Sequence, residues 1–339
     1  MNHILLLATG GTIASAPFAR GLTPTLCGVE LAEYVPQLND ICTFDVQQLM
    51  NIDSTNMQPC HWQQIAAAIE HTYDDYDAFV ILHGTDTMAY TAAALSYLIQ
   101  HSSKPIVLTG SQQPMTSAFT DAKLNLYQAV LYALDSRSHD VSIVFGSQAI
   151  CGTRAYKQKT MSFNAFTSIN YPVLAYIRNN KIIRNTDVVH GAPVRVHAQK
   201  PVFYHSLCER VMCLKLAPGL QPSIFYQLQR DYDAIILETF GIGGIPNAAS
   251  WSFAPALQAW IDAHKTLVLT TQVAEEGLDL AVYEVGQAFA HTPAVLRGSD
   301  MTTEALLAKT MWVLGQTHDP AKVHELFYTP INHDCAMQE

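Results

Sequence analysis

Leu5-Leu6-Leu7-Ala8-Thr9-Gly10-Gly11-Thr12-Ile13-Ala14-Ser15 is an apolar run that stops at two glycines and a threonine. The run reads as a buried strand. Glycine accepts positive φ and close backbone approach, so Gly10-Gly11 lets the chain turn sharply at the strand's carboxyl end, exposing backbone amides and presenting the Thr12 hydroxyl. Open α/β sheets bind ligands at that edge. Taken alone, the segment is equally well a plain βα turn, because glycine is common punctuation there.

Working outward, the same plan recurs. Ala78-Phe79-Val80-Ile81-Leu82 is a continuous apolar run of the kind found in a fully buried parallel strand, and it delivers His83-Gly84-Thr85-Asp86-Thr87 to the same edge. Ile106-Val107-Leu108-Thr109-Gly110-Ser111 is again strand, glycine and hydroxyl, and Val141-Ser142-Ile143-Val144-Phe145 is a further buried strand. Helical patterns from about His61 to His71, Ala89 to Leu98 and Asp121 to Leu134 separate these runs. Such alternation predicts a parallel βαβ sheet. Phe44 to Met50 alternates like a strand and runs into Asn51-Ile52-Asp53-Ser54-Thr55-Asn56-Met57, a polar cluster for which capping of the next helix is the simpler account. The glycine-, proline- and alanine-rich stretch from Ala16 to Pro24 reads as a lid.

The 339 residues exceed one ordinary domain and fit two, each with room for a sizeable core. With 49% hydrophobic and 14% charged residues the chain is globular rather than disordered. A formal net charge of -10 speaks against nucleic acid and anionic membrane, which need clustered Lys and Arg, and leaves a small solute as the partner. No basic leader follows Met1-Asn2-His3, and nothing approaches the roughly 20 apolar residues of a membrane span, so a cytoplasmic location is expected. The cysteines are odd in number and lack a C-x-x-C spacing, which reads as free reduced thiols.

After Ala155-Tyr156-Lys157-Gln158-Lys159 the alternation lapses, and Tyr171 to about Tyr204 carries Pro172, Pro193 and Pro201. Val211 to Leu216, Ala234 to Glu238 and Thr266 to Thr270 restart it. The expected fold is α/β, with two Rossmann-like (flavodoxin-like) domains built on parallel sheets: a larger N-terminal catalytic domain over 1–180, a linker over 181–208 and a smaller C-terminal domain over 209–339. Phe240-Gly241-Ile242-Gly243-Gly244-Ile245-Pro246 begins like a dinucleotide fingerprint, but Pro246 stands where the third glycine belongs and has no amide to donate. The nucleophile-elbow, zinc-protease and phosphate-loop signatures are missing too, so the sequence calls for no cofactor and no metal.

Chemistry is then left to side chains at the sheet edge: Thr12, Asp53, Ser54, Thr85, Asp86 and Lys157. A threonine hydroxyl is a weak nucleophile until something takes its proton. A lysine in a dry site serves as that base and an adjacent carboxylate orients it, which is the nucleophile, base and orienter logic of a triad. Taken singly, capping accounts for Thr85 and Asp86, and solvation for Lys157. Their convergence on strand ends of one sheet favours chemistry.

Thr9-Gly10-Gly11-Thr12-Ile13-Ala14 and Leu82-His83-Gly84-Thr85-Asp86-Thr87-Met88 resemble the two signature segments of bacterial-type L-asparaginases, and the whole chain is similar to their cytoplasmic, type I branch. Thr109 to Gln112, Asp121 to Asn125, Gly152 to Lys157 and Gly298 to Thr302 also resemble that family, so the likeness runs end to end. It implies hydrolysis of the side-chain amide of L-asparagine to L-aspartate and ammonia. By this likeness Thr12 would be the nucleophile on the lid side, Thr85, Asp86 and Lys157 the second catalytic set with Lys157 as proton acceptor, and Asp86 also a partner of the substrate ammonium. Gly11, Asp53 and Ser54, with Thr85 and Asp86, would hold the substrate. The family also implies a homodimer or homotetramer whose neighbouring subunit closes the site.

Two positions depart from the family pattern. Leu22 stands where many members carry a lid tyrosine that hydrogen-bonds the nucleophilic threonine, leaving Thr23 or the Thr85 and Lys157 set to supply activation. Gly244 stands where the family has an asparagine. A relative acting on glutamine, or on a glutamyl group of transfer RNA, would keep the same threonines, though the latter would normally need an extra domain and a basic face. An amino-acid-binding protein without catalysis would keep the pocket but release no ammonia.

Overall fold

A computed structural model describes residues 1–18, 21–24, 26–187, 200–248, 251–279 and 295–336, with 16–18 and 21–24 given by their backbone. The chain forms two compact units, Met1–His205 and Ser206–Glu339.

In the first unit the strands are, in chain order, β1 (His3–Gly10), β2 and β3 (Ser15–Phe18 and Gly21–Pro24), β4 (Thr43–Ile52), β5 (Ala78–Leu82), β6 (Ile99–Gln100), β7 (Ile106–Thr109), β8 (Val141–Phe145), β9 (Gln148–Cys151), β10 (Ala155–Lys157), β11 (Phe166–Ser168), β12 (Ala175–Arg178) and β13 (Lys181–Arg184). Eight of them form one sheet in the order β13-β12-β9-β8-β7-β5-β1-β4. From β4 to β8 every pairing is parallel. Counting only these parallel strands, the spatial order is 2-1-3-4-5, the flavodoxin-like arrangement, and the chain's direction of winding switches between β1 and β5.

Helices cover both faces, which is why the inner strands β1, β5 and β7 are predominantly apolar, whereas the outer strand β4 alternates between exposed and partly buried residues. Ile4, Leu6, Val80, Leu82 and Val107 pack with Leu31 of α1 (Gly28–Glu33) and with Leu126, Ala129 and Val130 of α4 (Ala122–Ala133). The alternate residues Leu5, Leu7, Phe79 and Ile81 are equally buried on the face of α2 (Pro59–His71) and α3 (Met88–Leu98).

The sheet is parallel-rich, as the sequence reading expects, with an antiparallel edge that the reading did not include. Gly146 and Ser147 both adopt positive φ, at 57° and 65°. That two-residue turn matches the right-handed twist of the flanking strands and folds β9 back antiparallel on β8. Strands β12 and β13 continue antiparallel beyond it. The stretch read as a linker over 181–208 contains regular strands. Lys181–Arg184 is the sheet's edge strand, and Val202–Phe203 (β14) pairs with β6 in the first unit. Regular pairing thus extends the first unit past residue 180, while 188–199 lie outside the described residues.

The second unit carries β15 (Val211–Lys215), β16 (Ala234–Thr239), β17 (Thr266–Thr271) and β18 (Val295–Arg297), all parallel and in sequential order. Phe225, Ile235, Leu237, Phe253, Leu257, Trp260 and Leu267 form its core.

Candidate active site

Most of the candidate side chains stand where β1, β4, β5 and β7 end, at the switch point of the first sheet. Open α/β folds leave a ligand crevice at such a point. Gly11, with φ of 81°, donates its N–H to the Ile52 carbonyl at 2.9 Å and packs backbone to backbone on Gly84. A Cβ on Gly84 would lie 2.5 Å from Ser54 Oγ, and one on Gly110 would lie 2.2 Å from the His83 carbonyl oxygen. Only glycine at these positions lets the turns after β1, β5 and β7 close on one another and on Ser54.

Thr12 opens a short 3-10 turn, Thr12–Ala14, whose capping residue is Gly11, so the Thr12 hydroxyl is not a cap. It is half-buried. Beneath it the Ser15 hydroxyl donates to the Gly11 carbonyl at 2.9 Å and fixes the turn.

Thr85 and Asp86 do not cap a helix either: α3 begins at Met88 after Thr87, and that end has no side-chain cap. The Thr87 hydroxyl instead donates to the Ser54 carbonyl at 2.8 Å and ties the two turns together. Lys157 enters from the end of β10, paired antiparallel with β11 opposite Phe166. Its ammonium donates to Thr85 Oγ1 at 2.8 Å and to Asp86 Oδ1 at 2.6 Å. Thr85 is 5% exposed, and the side chains of Lys157 and Asp86 are 17% and 56% exposed. An ion pair with so exposed a carboxylate contributes little to stability, so its effect is to aim the amine. The three residues form a connected hydroxyl, amine and carboxylate set.

Asp53 does cap: its carboxylate accepts from the Thr55 N–H at 2.9 Å at the head of Ser54–Asn56. Ser54 is buried under Gly84, while Asp53 stays exposed at the rim. Leu22 lies on β3, and its side chain and that of Thr23 fall outside the described residues. Gly244 closes a tight reversal with two bonds to Phe240, its N–H donating at 2.7 Å and its carbonyl accepting at 3.0 Å. A Cβ there would meet the Phe240 carbonyl oxygen at 3.1 Å, a crowding that favours glycine over asparagine.

Four residues with no assigned role in the sequence reading support this edge: Gln112, Asp121, Asn125 and His83. Gln112, in the turn after β7, reaches Thr85 Oγ1 with its side-chain oxygen at 3.3 Å. Asp121 accepts from the backbone N–H of Gln112 and of Gln113 at 3.0 Å each, and Asn125 bridges Gly110 and Gly146 through its amide. His83 is fully buried, and burial holds its imidazole down to about 4, so it is neutral. Its Nδ1–H donates to the Gly84 carbonyl, which leaves Nε2 to accept from the Thr91 hydroxyl, and that hydroxyl accepts in turn from the Trp62 indole. The position of Gln112, next to a glycine and serine at a strand end, was the available signal. Nothing in a linear pattern shows which way an amide points.

Among the described residues no group of three or more His, Cys, Asp and Glu is placed to hold a metal, and no helix is long and apolar enough to cross a membrane.

Comparison with known proteins is consistent along the chain. Residues 3–190 match the family model described as asparaginase, N-terminal, and residues 210–327 match the glutaminase/asparaginase C-terminal domain. The chain is 36% identical to an L-asparaginase of Thermococcus kodakarensis over 95% of this chain and 96% of that one. The solved thermostable L-asparaginase of the same organism superposes with a TM-score of 0.90, at 34% identity and covering 99% of this chain and all of that one. L-asparaginase 1 of Escherichia coli is 32% identical over 96% of this chain and 95% of its own length. A glutamyl-tRNA(Gln) amidotransferase chain of Methanobrevibacter smithii is 31% identical, over 96% of this chain and 75% of that protein.

Proposed function

We propose that this chain, which belongs to the asparaginase family and is an L-asparagine amidohydrolase, works through two threonine-centred sets. Thr12 Oγ1 attacks the side-chain amide carbon of L-asparagine, the C–N bond breaks as the nitrogen takes a proton and leaves as ammonia, and water then cleaves the Thr12 ester to release L-aspartate. Lys157, next to Thr85, accepts the proton that the attacking group loses. Asp86 holds Lys157 and meets the substrate ammonium, while Asp53, Ser54 and the Gly11 turn grip the α-amino and α-carboxylate groups. The observation that carries this reading is the Lys157 amine lying 2.8 Å from a buried Thr85 hydroxyl and 2.6 Å from Asp86. A site whose buried donors and acceptors match one ligand discriminates, since each group left unpaired costs about 1–3 kcal/mol.

The same reading assigns the enzyme to cytoplasmic asparagine catabolism, which the seven free cysteines support. It assigns a homodimer or homotetramer, supported by the exposed apolar side chains of Phe119, Met161 and Phe163 in the first unit. Light scattering that finds a fully active monomer would overturn the assembly. Ammonia release from L-asparagine against L-glutamine tests the substrate. Release from asparagine, lost in Thr85→Ala, is expected, whereas preference for glutamine moves the assignment toward the amidotransferase relatives, and ligand binding with no ammonia sinks it.

A further inference from the structure

The side-chain amide of Gln112 has a fixed direction. Its Nε2 lies 3.2 Å from the carbonyl oxygen of Ser162, which can only accept, so Nε2 donates there and Oε1 faces Thr85. The backbone beneath is held just as firmly: the Gln112 N–H donates to both oxygens of Asp121, at 3.0 and 3.1 Å, and Asn125 Nδ2 donates to Asp121 and to the Gly110 carbonyl at 3.1 and 3.0 Å. Asp121 and Asn125 are buried.

The Thr85 hydroxyl has a single proton to place. Gln112 Oε1 only accepts, so that proton lies on the Gln112 side, and the Lys157 ammonium donates into a lone pair of the same oxygen. For Lys157 to take a proton from Thr85, Nζ must first give up one of its own and the hydroxyl must turn from Gln112 to the lone pair so exposed.

We propose that Gln112 is a positioning residue that holds the Thr85 proton away from Lys157 and so sets the pH at which this pair begins to accept protons. The inference rests on the role given to Lys157 above. Two carboxylates are bonded into this arrangement, Asp86, at 2.6 Å from Nζ, and Asp121, behind the Gln112 backbone. Neither is altered by substituting the Gln112 side chain. Because the present arrangement favours Lys157 as donor, an acceptor at position 112 opposes loss of its proton.

The test is the pH profile of kcat/KM for ammonia release from L-asparagine. In Gln112→Met, which keeps the length and removes the acceptor, the acid limb moves to lower pH by about 0.4 to 1 unit, the span expected from one neutral hydrogen bond. Gln112→Glu, a charged acceptor, moves it to higher pH. Should methionine unfold the loop in thermal melts, Gln112→Ala carries the same downward expectation. Profiles that superimpose on the wild type while kcat falls would make Gln112 a structural residue only and overturn the inference, as would an upward shift in Gln112→Met. Lys157→Met separates the two levels. If it stays active, the base assignment itself has failed; if it is inactive and the Gln112 profiles do not move, only this inference falls.

Discussion

Gly11 and Gly84 meet so closely that a Cβ on Gly11 would lie 2.3 Å from the Gly84 Cα. The contact joins the turn bearing Thr12 to the turn bearing Thr85, so backbone packing sets the two turns against each other while side-chain bonds from Ser15 and Thr87 brace each of them. Gly84→Ala drives a methyl into Ser54 Oγ at 2.5 Å and must spread these turns. We expect a loss of about 1–3 kcal/mol in urea unfolding, the usual cost of overpacking, together with a fall in turnover. A Gly84→Ala protein with wild-type stability and activity would show that the turns are not in register through this contact.

What the sequence made legible at this site follows from the kind of signal involved. The strands at 78–82, 106–109 and 141–145 are buried along their whole length and apolar apart from Thr109 and Ser142, the pattern that burial on both faces favours, so their carboxyl-end residues could be placed before any side chain was seen. The antiparallel edge was missed because β9 and β12 are four residues each and begin beyond a Gly146-Ser147 turn, a hairpin signal outweighed by the βαβ rhythm before it. Residues 181–184 read as linker because their alternation is brief and half-exposed, as an edge strand's is. Gln112 was visible as a strand-end residue, but its contact depends on the Ser162 carbonyl 50 positions away, which no local pattern encodes.

His83 makes the fold acid-sensitive. Its buried imidazole is held at about 4 against an ordinary 6.5, so between these values the unfolded chain binds more protons than the folded one. Its stabilising contribution is present above 6.5 and is lost as pH falls toward 4, by about 3 kcal/mol in all. Urea unfolding of wild type and His83→Gln across that window should give curves that converge as pH drops. Parallel curves would contradict the burial argument.

Glu304 works in the opposite direction in the second unit. Burial, aided by the nearby Glu238 carboxylate, pushes it up to about 7 from 4.5, and its Oε2 is a buried atom with no hydrogen-bond partner. Its contribution is therefore full below 4.5 and is lost as pH rises through 7. Glu304→Gln should match the wild type in melts at the acid end of this range and be more stable above pH 7, by up to about 3 kcal/mol. Equal gains at both ends would mean that the carboxyl does not titrate in this window.

Lys309 and Asp334 are both fully buried, with Nζ 2.6 Å from Oδ2 and also donating to the Thr329 carbonyl. Removing one partner strands a charge, so Lys309→Met and Asp334→Asn should each cost about 3–5 kcal/mol, while Lys309→Met combined with Asp334→Leu recovers most of the loss. Chemical unfolding followed by a probe in the second unit measures it. Additive losses in the double variant would contradict the pairing.

The central claim is that Thr85 and Lys157 act as one proton-transfer unit serving Thr12. Ammonia release from L-asparagine by folded Thr12→Ala, Thr85→Ala, Lys157→Met and the Thr85→Ala/Lys157→Met double variant, each checked by thermal melt, tests it most directly. The account predicts that each single variant loses turnover by orders of magnitude while keeping its fold, and that the double variant is little worse than either of its parents, because members of one unit are not additive. Most of the wild-type turnover surviving in Thr85→Ala or Lys157→Met, or the two losses multiplying in the double variant, would contradict it.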